Sequence, residues 1–75
     1  MKALDKDDFS NRLGKKIAII RKAKGFTQTR LAEIAGFDRM TIALIETGKK
    51  NPSMATIYQL SLALSVEPSE FFAGL

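Results

Sequence analysis

The N-terminal part of the chain has a helical pattern of apolar residues. Its stripe recurs at intervals of four, four and three residues and consists of Phe9, Leu13, Ile17 and Ile20. These intervals place the four side chains on one face of a helix, for which Asp8 or Ser10 is a suitable N-cap. Ile19 lies off this face, so we expect it to be either partly exposed or covered by another chain.

Two short helices are predicted next, around a glycine turn. Thr27 is a good N-cap and Gly36 can adopt the left-handed conformation that ends a helix, which predicts a helix over residues 28–35. Asp38 offers a second N-cap, and a helix is predicted over residues 39–47. Because so few residues join the two helices, they must cross steeply, which is the helix-turn-helix arrangement.

The pattern of residues in the last third of the chain predicts one longer helix and a short final turn. Ser53 can cap a helix over residues 54–64, with an apolar stripe that consists of Ile57, Leu60, Ala63 and Leu64. After Pro68, Ser69 and Glu70 can start a last helical turn. No segment alternates with a period of two for long enough to form a strand, so the prediction is an all-α fold of five helices.

The length of the chain, 75 residues, predicts one small domain. Residues 1–8 are polar and charged, and we expect them to fray, whereas residues 9–75 form a single helix-turn-helix domain. The core of so small a domain is thin, so a dimer partner would add useful burial. We expect no ligand-sensing domain and no small-molecule ligand.

Composition narrows the classes of function. The chain has 12 Lys plus Arg against 8 Asp plus Glu, a net charge of +4, which fits a polyanionic partner but is a weak indication alone. It has no cysteine and no histidine, so the commonest metal ligands and catalytic bases are absent. We expect no metal, no cofactor and no enzymatic activity. No apolar run approaches the ~20 residues of a membrane span, and the N-terminus does not resemble a signal peptide, so we expect a cytoplasmic protein.

The helix predicted over residues 39–47 has two different faces. At about 100° per residue, Ile42 and Ile45 point to one side and can be buried. The opposite side is left for a partner and carries Arg39, Met40, Ala43 and Leu44. In a helix-turn-helix, the outward N-terminal part of the second helix enters the major groove of DNA.

Turn, core and loop residues in the centre of the chain agree in one register. They are Gly25-Phe26-Thr27-Gln28, Leu31-Ala32-Glu33, Gly36-Phe37, Ile42, Ile45-Glu46, Gly48 and Asn51-Pro52-Ser53. This pattern resembles the Cro and lambda-repressor-like (XRE-type) helix-turn-helix family over roughly residues 17–72. The resemblance implies a compact five-helix lambda-repressor-like DNA-binding domain.

The resemblance also implies a function. It suggests a sequence-specific transcriptional regulator that binds an inverted-repeat operator in double-stranded DNA as a homodimer. Phe37-Asp38-Arg39 and Pro68-Ser69-Glu70-Phe71-Phe72 look most like the controller proteins of restriction–modification systems, and phage Cro-like repressors and antitoxin-type regulators are also similar. The alternative is a helical protein-interaction module that uses the same fold without contacting DNA. An enzyme is the third class of function.

Arg21 has two interpretations. It is one more solvated arginine on a basic helix, or it pairs with Glu46. The family resemblance implies the ion pair, because both partners occur at the positions where the family carries them. In that role Arg21 would set the angle of the recognition helix and would not contact bases.

Five residues are candidates for phosphate contacts. Gln28 is either an exposed glutamine or, as the resemblance implies, a phosphate contact at the start of its helix that also braces the recognition helix. Lys49 and Lys50 are either solvated or held against phosphate by the turn at residues 48–52, and in the family the counterpart of Asn51 donates to phosphate. Thr41 either contacts a phosphate or bonds back within its own helix.

Four residues are candidates for base contacts. The guanidinium of Arg39 matches the O6 and N7 atoms of guanine, unless it clamps a phosphate or pairs with Asp38. Met40, Ala43 and Leu44 are less polar than the family often has at this face, and they can pack on thymine methyl groups. Alternatively, Leu44 packs against the protein itself.

The predicted dimer surface lies near the C-terminus. It consists of Leu64, Val66, Phe71, Phe72 and Leu75, with Ile19 adjoining. A short final turn cannot bury so many apolar groups on itself. We expect one phenylalanine to close the monomer core and the remaining surface to contact a second copy.

Overall fold

Four α-helices and one short 3-10 turn make up residues 5–75, the part of the chain that the computed structural model describes. In order they are α1 (Lys6–Ala23), α2 (Gln28–Ala35), α3 (Arg39–Glu46), α4 (Met54–Leu64) and the 3-10 turn Pro68–Phe71. No strand occurs among these residues, which confirms the all-α prediction. None of these helices combines the length and apolarity needed to cross a bilayer.

The predicted fifth helix is wrong, because the segment is a single 3-10 turn. The N–H of Glu70 donates to the Glu67 carbonyl at 3.0 Å, and that of Phe72 donates to the Ser69 carbonyl at 3.1 Å. These are bonds between residues three apart, and only four residues form the turn. The residues after Phe71 form turns, and Gly74 has a φ of 79°, a left-handed conformation that does not continue a helix.

Helix α1 begins earlier than predicted. The carboxylate of Asp5 accepts from the N–H groups of Asp7 at 2.8 Å and Asp8 at 3.4 Å, so Asp5 is the N-cap. Neither Asp8 nor Ser10 caps the helix, because both lie inside it and Ser10 is buried. Part of the expected frayed segment, residues 1–4, lies outside the described residues.

The boundaries predicted around the helix-turn-helix are confirmed to within one residue. Thr27, Asp38 and Ser53 each accept a backbone N–H from the first turn of their helix, at 3.0, 2.7 and 3.1 Å. Gly36 has a φ of 84°, the left-handed conformation expected where α2 ends. Helix α3 ends at Glu46, one residue before the predicted end, and Thr47 is its C-cap.

One continuous core joins all of these elements. Its buried apolar members are Leu13, Ile17, Leu31, Ala32, Ala35, Ile42, Ile45, Ile57, Leu60, Leu64 and Phe71. Ile42 and Ile45 belong to α3, and burying both fixes which side of this helix faces the protein. The opposite side of α3 is therefore left outward.

Helix α1 crosses the end of α3 at very short range. A Cβ atom added at Gly14 would lie 2.4 Å from the carbonyl oxygen of Ile45 and 2.6 Å from that of Glu46. Only a glycine fits at this crossing, because a backbone oxygen cannot swing aside as a flexible side chain can. The C-terminal end of α3 is thus held directly against α1.

The core includes two residues that were predicted to form the dimer surface. Leu64 and Phe71 are fully buried within one chain, so that assignment is wrong for both. The physical reason is that α4 and the 3-10 turn close the monomer core. Val66 and Leu75 are partly buried and pack against the same core. Phe72 stays exposed, which agrees with the expectation that only one phenylalanine enters the core.

Candidate nucleic-acid interface

The outward side of α3 carries the four side chains predicted to contact bases. Arg39 and Met40 are exposed, whereas Ala43 and Leu44 are half-buried. The carbonyl of Leu44 accepts the N–H groups of both Lys49 at 2.9 Å and Lys50 at 3.2 Å. The loop after α3 thus folds back toward Leu44, and the N-terminal half of the helix is its most open part.

A buried ion pair anchors the other end of α3. Arg21 Nε lies 2.6 Å from Glu46 Oε2, and Arg21 Nη2 lies 3.0 Å from Glu46 Oε1, a forked arrangement. Arg21 Nη1 also donates to the carbonyl of Phe26 at 2.8 Å. The structure therefore contains the ion pair that the resemblance implied. Both charges are buried and hydrogen-bonded, which is the condition under which charges are tolerated inside a protein.

Gln28 joins this ion pair to the exposed side of α3. Its Nε2 donates to Glu46 Oε1 at 3.0 Å, and its Oε1 accepts from Arg39 Nη1 at 3.3 Å. Its position at the first residue of α2 keeps it beside free backbone amides of that helix. One hydrogen of the Nε2 amide remains for a phosphate, so the predicted phosphate contact stays a prediction.

The loop between α3 and α4 carries three of the predicted phosphate contacts. Lys49, Lys50 and Asn51 are all exposed. Gly48 has a φ of 78°, and a Cβ there would meet the side chain of Asn11 in α1. Asn51 Oδ1 accepts a hydrogen bond from the Ser10 hydroxyl, which leaves the Asn51 amide N–H groups free to donate outward.

A cleft beside α3 brings predicted phosphate contacts together. Thr41, Lys50 and Asn51 line it together with Phe37. Gln28 and Lys49 are not among the lining residues. The backbone N–H of Thr41 donates to the carboxylate of Asp38. The hydroxyl that bonds back within α3 belongs to Thr47, and it donates to the carbonyl of Ala43 at 2.9 Å.

Asp38 is an acidic residue at the N-terminal end of α3. Hydrogen bonds from the backbone and the side chain of Thr41 lower the pKa of Asp38, and the positive charge of Lys50 lowers it further. The carboxylate therefore stays charged at neutral pH. It accepts the backbone N–H of Thr41 at the start of the helix.

Three residues that position this site were not predicted. Ser10, Asn11 and Gly14 lie on α1, where they contact the loop after α3 or the end of α3 itself. A signal was available, because Ser10, Gly14 and Arg21 share the helical face of Ile17 at spacings of four, three and four. A glycine on an apolar helix face, such as Gly14, lets a neighbouring backbone approach closely.

The comparison with known proteins agrees with this geometry. A helix-turn-helix family profile, HTH_3, matches residues 17–71. The chain belongs to the helix-turn-helix family HTH_3. The match contains the ion pair, Gln28, α3 and the loop after α3, so the XRE-type resemblance inferred from the motif residues is confirmed.

Individual HTH_3 relatives include regulators of small size. The chain is 33% identical over 63 residues to an uncharacterized HTH-type transcriptional regulator, y4dJ, of Sinorhizobium fredii, covering 84% of this chain and 82% of that protein. It is 31% identical over 70 residues to the control protein C.MunI of a Mycoplasma species, covering 92% and 95%. The crystal structure of the restriction-modification controller protein C.AhdI from Aeromonas hydrophila superposes with a TM-score of 0.85 at 35% identity, covering 87% of this chain and 98% of that one.

Proposed function

We propose that this HTH_3 protein is a sequence-specific DNA-binding transcriptional regulator that acts as a homodimer on an inverted repeat. The observation that carries the proposal is the outward side of α3, which is free of the core while Ile42, Ile45 and Glu46 hold its other side. A short, rigidly held helix with an open flank is what insertion into a major groove requires.

Side chains on both sides of α3 support a DNA contact. The amide of Gln28 and the N-terminus of α2 lie on one side, and Lys50 and Asn51 lie in the cleft on the other. In this arrangement Arg39 contacts a guanine, and Met40 and Ala43 pack on neighbouring thymine methyl groups. The flanking groups contact phosphates and hold the helix in register.

The charge of the chain supports the same partner. A net charge of +4 attracts a polyanion, and the exposed cations of the loop, Lys49 and Lys50, adjoin the recognition helix. The names of the relatives fit a regulator, and the controller proteins C.MunI and C.AhdI are matched over nearly their whole length. These matches favour a controller-type regulator.

We propose that the dimer surface lies on α4, in place of the C-terminal surface with Ile19 that the sequence predicted, because Leu64 and Phe71 of that surface are buried. Residues 51–66 contain no charged side chain, and α4 exposes an apolar stripe at spacings of four: Met54, Tyr58 and Leu62. A two-fold interface sets a surface patch against its own copy, so like charges meet unless the patch is uncharged. In a basic protein, a charge-free apolar helix is therefore the surface best suited to a second copy of the chain.

Selection of binding sites from random duplex DNA tests this function. The parent protein should enrich an inverted repeat, with affinity that falls steeply as salt increases. Arg39→Ala should relax the preference at one base position in each half-site, by about 1–3 kcal/mol of discrimination. Lys50→Ala, the control, should weaken binding to all sequences alike and flatten the salt dependence by about one unit of slope. If Arg39→Ala returned the parent's site unchanged, the role proposed for Arg39 would be wrong.

A protein-interaction module is the second candidate, and the apolar Met40 and Leu44 on the outward side of α3 are the observation that favours it. Such a surface could seat a partner helix instead of thymine methyl groups. Partner capture that is insensitive to salt, together with no enrichment of any DNA sequence, would identify this function. Enrichment of a defined operator would identify the regulator.

A further inference from the structure

The loop after α3 rests on the N-terminal part of α1. A Cβ atom added at Gly48 would lie 2.9 Å from the Cα of Asn11, so the two backbones approach closely there. Beside this contact, the hydroxyl of Ser10 donates to Oδ1 of Asn51. Together these contacts hold the loop over residues 48–51 against α1.

Ser10 belongs to the buried side of α1. It is 6% exposed and shares its helical face with Leu13 and Ile17, which are core residues. A hydroxyl on such a face destabilises the fold unless it is hydrogen-bonded. Asn51, in contrast, is exposed and lies 41 residues further along the chain. The bond between them therefore connects the core-facing side of α1 to an exposed loop.

This bond fixes which way round the Asn51 amide lies. The amide group has an oxygen that accepts and an NH₂ group that donates, and only the NH₂ group can bind a phosphate oxygen. Because Oδ1 of Asn51 faces Ser10, the Nδ2 group faces the exposed side of the loop. Pro52 follows directly and restricts the backbone of Asn51 as well.

We propose that Ser10 is a positioning residue for DNA binding, whose buried hydroxyl holds the Asn51 amide with its N–H groups directed at a backbone phosphate. This inference rests on the proposed function and adds to it a residue of α1, outside the helix-turn-helix. A donor that already has its bound geometry needs less ordering on the duplex. While the N–H groups contact the phosphate, the Ser10 hydroxyl satisfies the oxygen on the inner side of the amide.

Ser10→Ala tests the role of the hydroxyl. Alanine suits both a helix and a buried position, and it removes the donor to Asn51. Affinity for the DNA site selected with the parent protein should fall by about three- to tenfold, the contribution of one hydrogen bond. The base preference and the salt slope should not change, because Asn51 is uncharged and its contact releases no counterion. Equal affinity of Ser10→Ala and the parent would contradict the inference.

Ser61→Ala is the matched control. Ser61 is also a buried serine within a helix, but its hydroxyl donates to the carbonyl of Tyr58 in the same helix, α4. The change removes the same chemical group at a position away from the loop, so DNA affinity should stay at the parent's value. A loss as large as that of Ser10→Ala would show that any missing buried hydroxyl weakens binding, and the inference would be wrong.

A double-mutant comparison shows whether Ser10 acts through Asn51. Asn51→Ala should weaken binding at least as much as Ser10→Ala, because it removes the phosphate donor itself. In the Asn51→Ala background, Ser10→Ala should have no further effect on affinity, since no amide is left to orient. A further loss of the same size would show that the hydroxyl affects DNA binding by another route, which would refute the positioning role.

The free protein offers a measurement that depends neither on DNA nor on a folded variant. Nuclear magnetic resonance relaxation of the Asn51 side-chain amide reports its motion on the picosecond-to-nanosecond timescale. In the parent this amide should be as ordered as the backbone amides of α1, and in Ser10→Ala it should become more mobile. A freely moving Asn51 amide in the parent would overturn the inference even if Ser10→Ala did not fold.

The two proposals fail in different ways. A parent protein that enriches no DNA sequence would overturn the proposed function and this inference with it. A parent protein that enriches a clear site, combined with a Ser10→Ala variant that binds this site equally well, would overturn the inference alone. The melting temperature of each variant, measured in parallel, identifies any variant that is unfolded.

Discussion

Single residues set the position of α3 in this protein. Glu46 would be an uncompensated buried charge without Arg21, and losing one partner of such a pair typically costs about 3–5 kcal/mol. Gly14 acts differently, because its missing side chain lets the backbones of α1 and α3 approach each other. One contact depends on charge and the other on shape, and both act on the same end of α3.

Gly14→Ala tests the shape requirement. Helix propensity alone predicts that alanine at this position stabilises α1 by about 0.5–1 kcal/mol. The added Cβ would instead lie 2.4 Å from the Ile45 carbonyl oxygen, so we expect the variant to be less stable by about 1–3 kcal/mol. Urea denaturation of both proteins measures the difference. A more stable Gly14→Ala variant would show that the helices do not cross so closely.

At the scale of an element, α3 depends on its ends and on the core. It is eight residues long, and isolated helices shorter than about 12–15 residues are marginal in water. Asp38 caps its start, Ile42 and Ile45 bury one face, and Gly48 turns the chain after it. The recognition helix is therefore ordered by its surroundings and not by its own propensity.

The cap of α3 predicts a dependence of stability on pH. The pKa of Asp38 in the folded protein lies below its ordinary value of 3.8, so the charged cap stabilises the fold above that pH. This stabilisation is lost as the pH falls through the lower folded pKa. Asp38→Asn keeps a capping oxygen without the charge, so its melting temperature should lie below the parent's at neutral pH and converge with it once the pH has fallen below the lowered folded pKa. A constant difference at all pH values would contradict the assignment.

The end of α4 contains a strained residue. Ser65 is its C-cap with a φ of 57°, the left-handed conformation that costs a residue with a side chain roughly 1–2 kcal/mol. Ser65→Gly removes that strain but gains freedom in the unfolded chain, and we expect a net stabilisation of about 0.5–1 kcal/mol. Thermal unfolding measures it. Ser65→Ala, the control, keeps the strain and should show no gain.

The distribution of charge matters at the scale of the whole molecule. Nine of the twelve basic residues lie at or before residue 30, and the other three, Arg39, Lys49 and Lys50, lie on or beside α3, whereas α4 has none. Charge is thus concentrated away from α4, whose apolar stripe faces outward. One molecule therefore combines a polar surface around α3 with an uncharged surface on α4 that suits a second copy.

Leu62→Glu tests the dimer surface. Ile19 and Leu62 are almost equally exposed, at 62% and 61%, but Ile19 lies on α1 and Leu62 lies on the stripe of α4. A glutamate at position 62 would meet its own copy across a two-fold interface, so Leu62→Glu should weaken the dimer at least tenfold. Ile19→Glu, the matched control, should leave it intact. Sedimentation at several protein concentrations measures both, and a dimer broken only by Ile19→Glu would move the interface to α1.

Local patterns in the sequence were sufficient for much of the fold. The caps at Thr27, Asp38 and Ser53 and the left-handed Gly36 are confirmed, because capping and turn conformation depend on neighbouring residues along the chain. The buried face of α3 is confirmed for the same reason, since helical periodicity alone separates Ile42 and Ile45 from the opposite side. The contacts of that side with DNA stay predictions.

What the sequence by itself determined is the order of the helices, their capped ends and the outward side of α3, all of which follow from spacings within one element. Only the tertiary structure decided that Leu64 and Phe71 close the core, that Gly14 lets α1 touch α3, and that Gln28 connects Arg39 to Glu46. Those outcomes depend on the distance between elements that are remote in the chain. Periodicity gives the direction of a side chain, but packing determines what it meets.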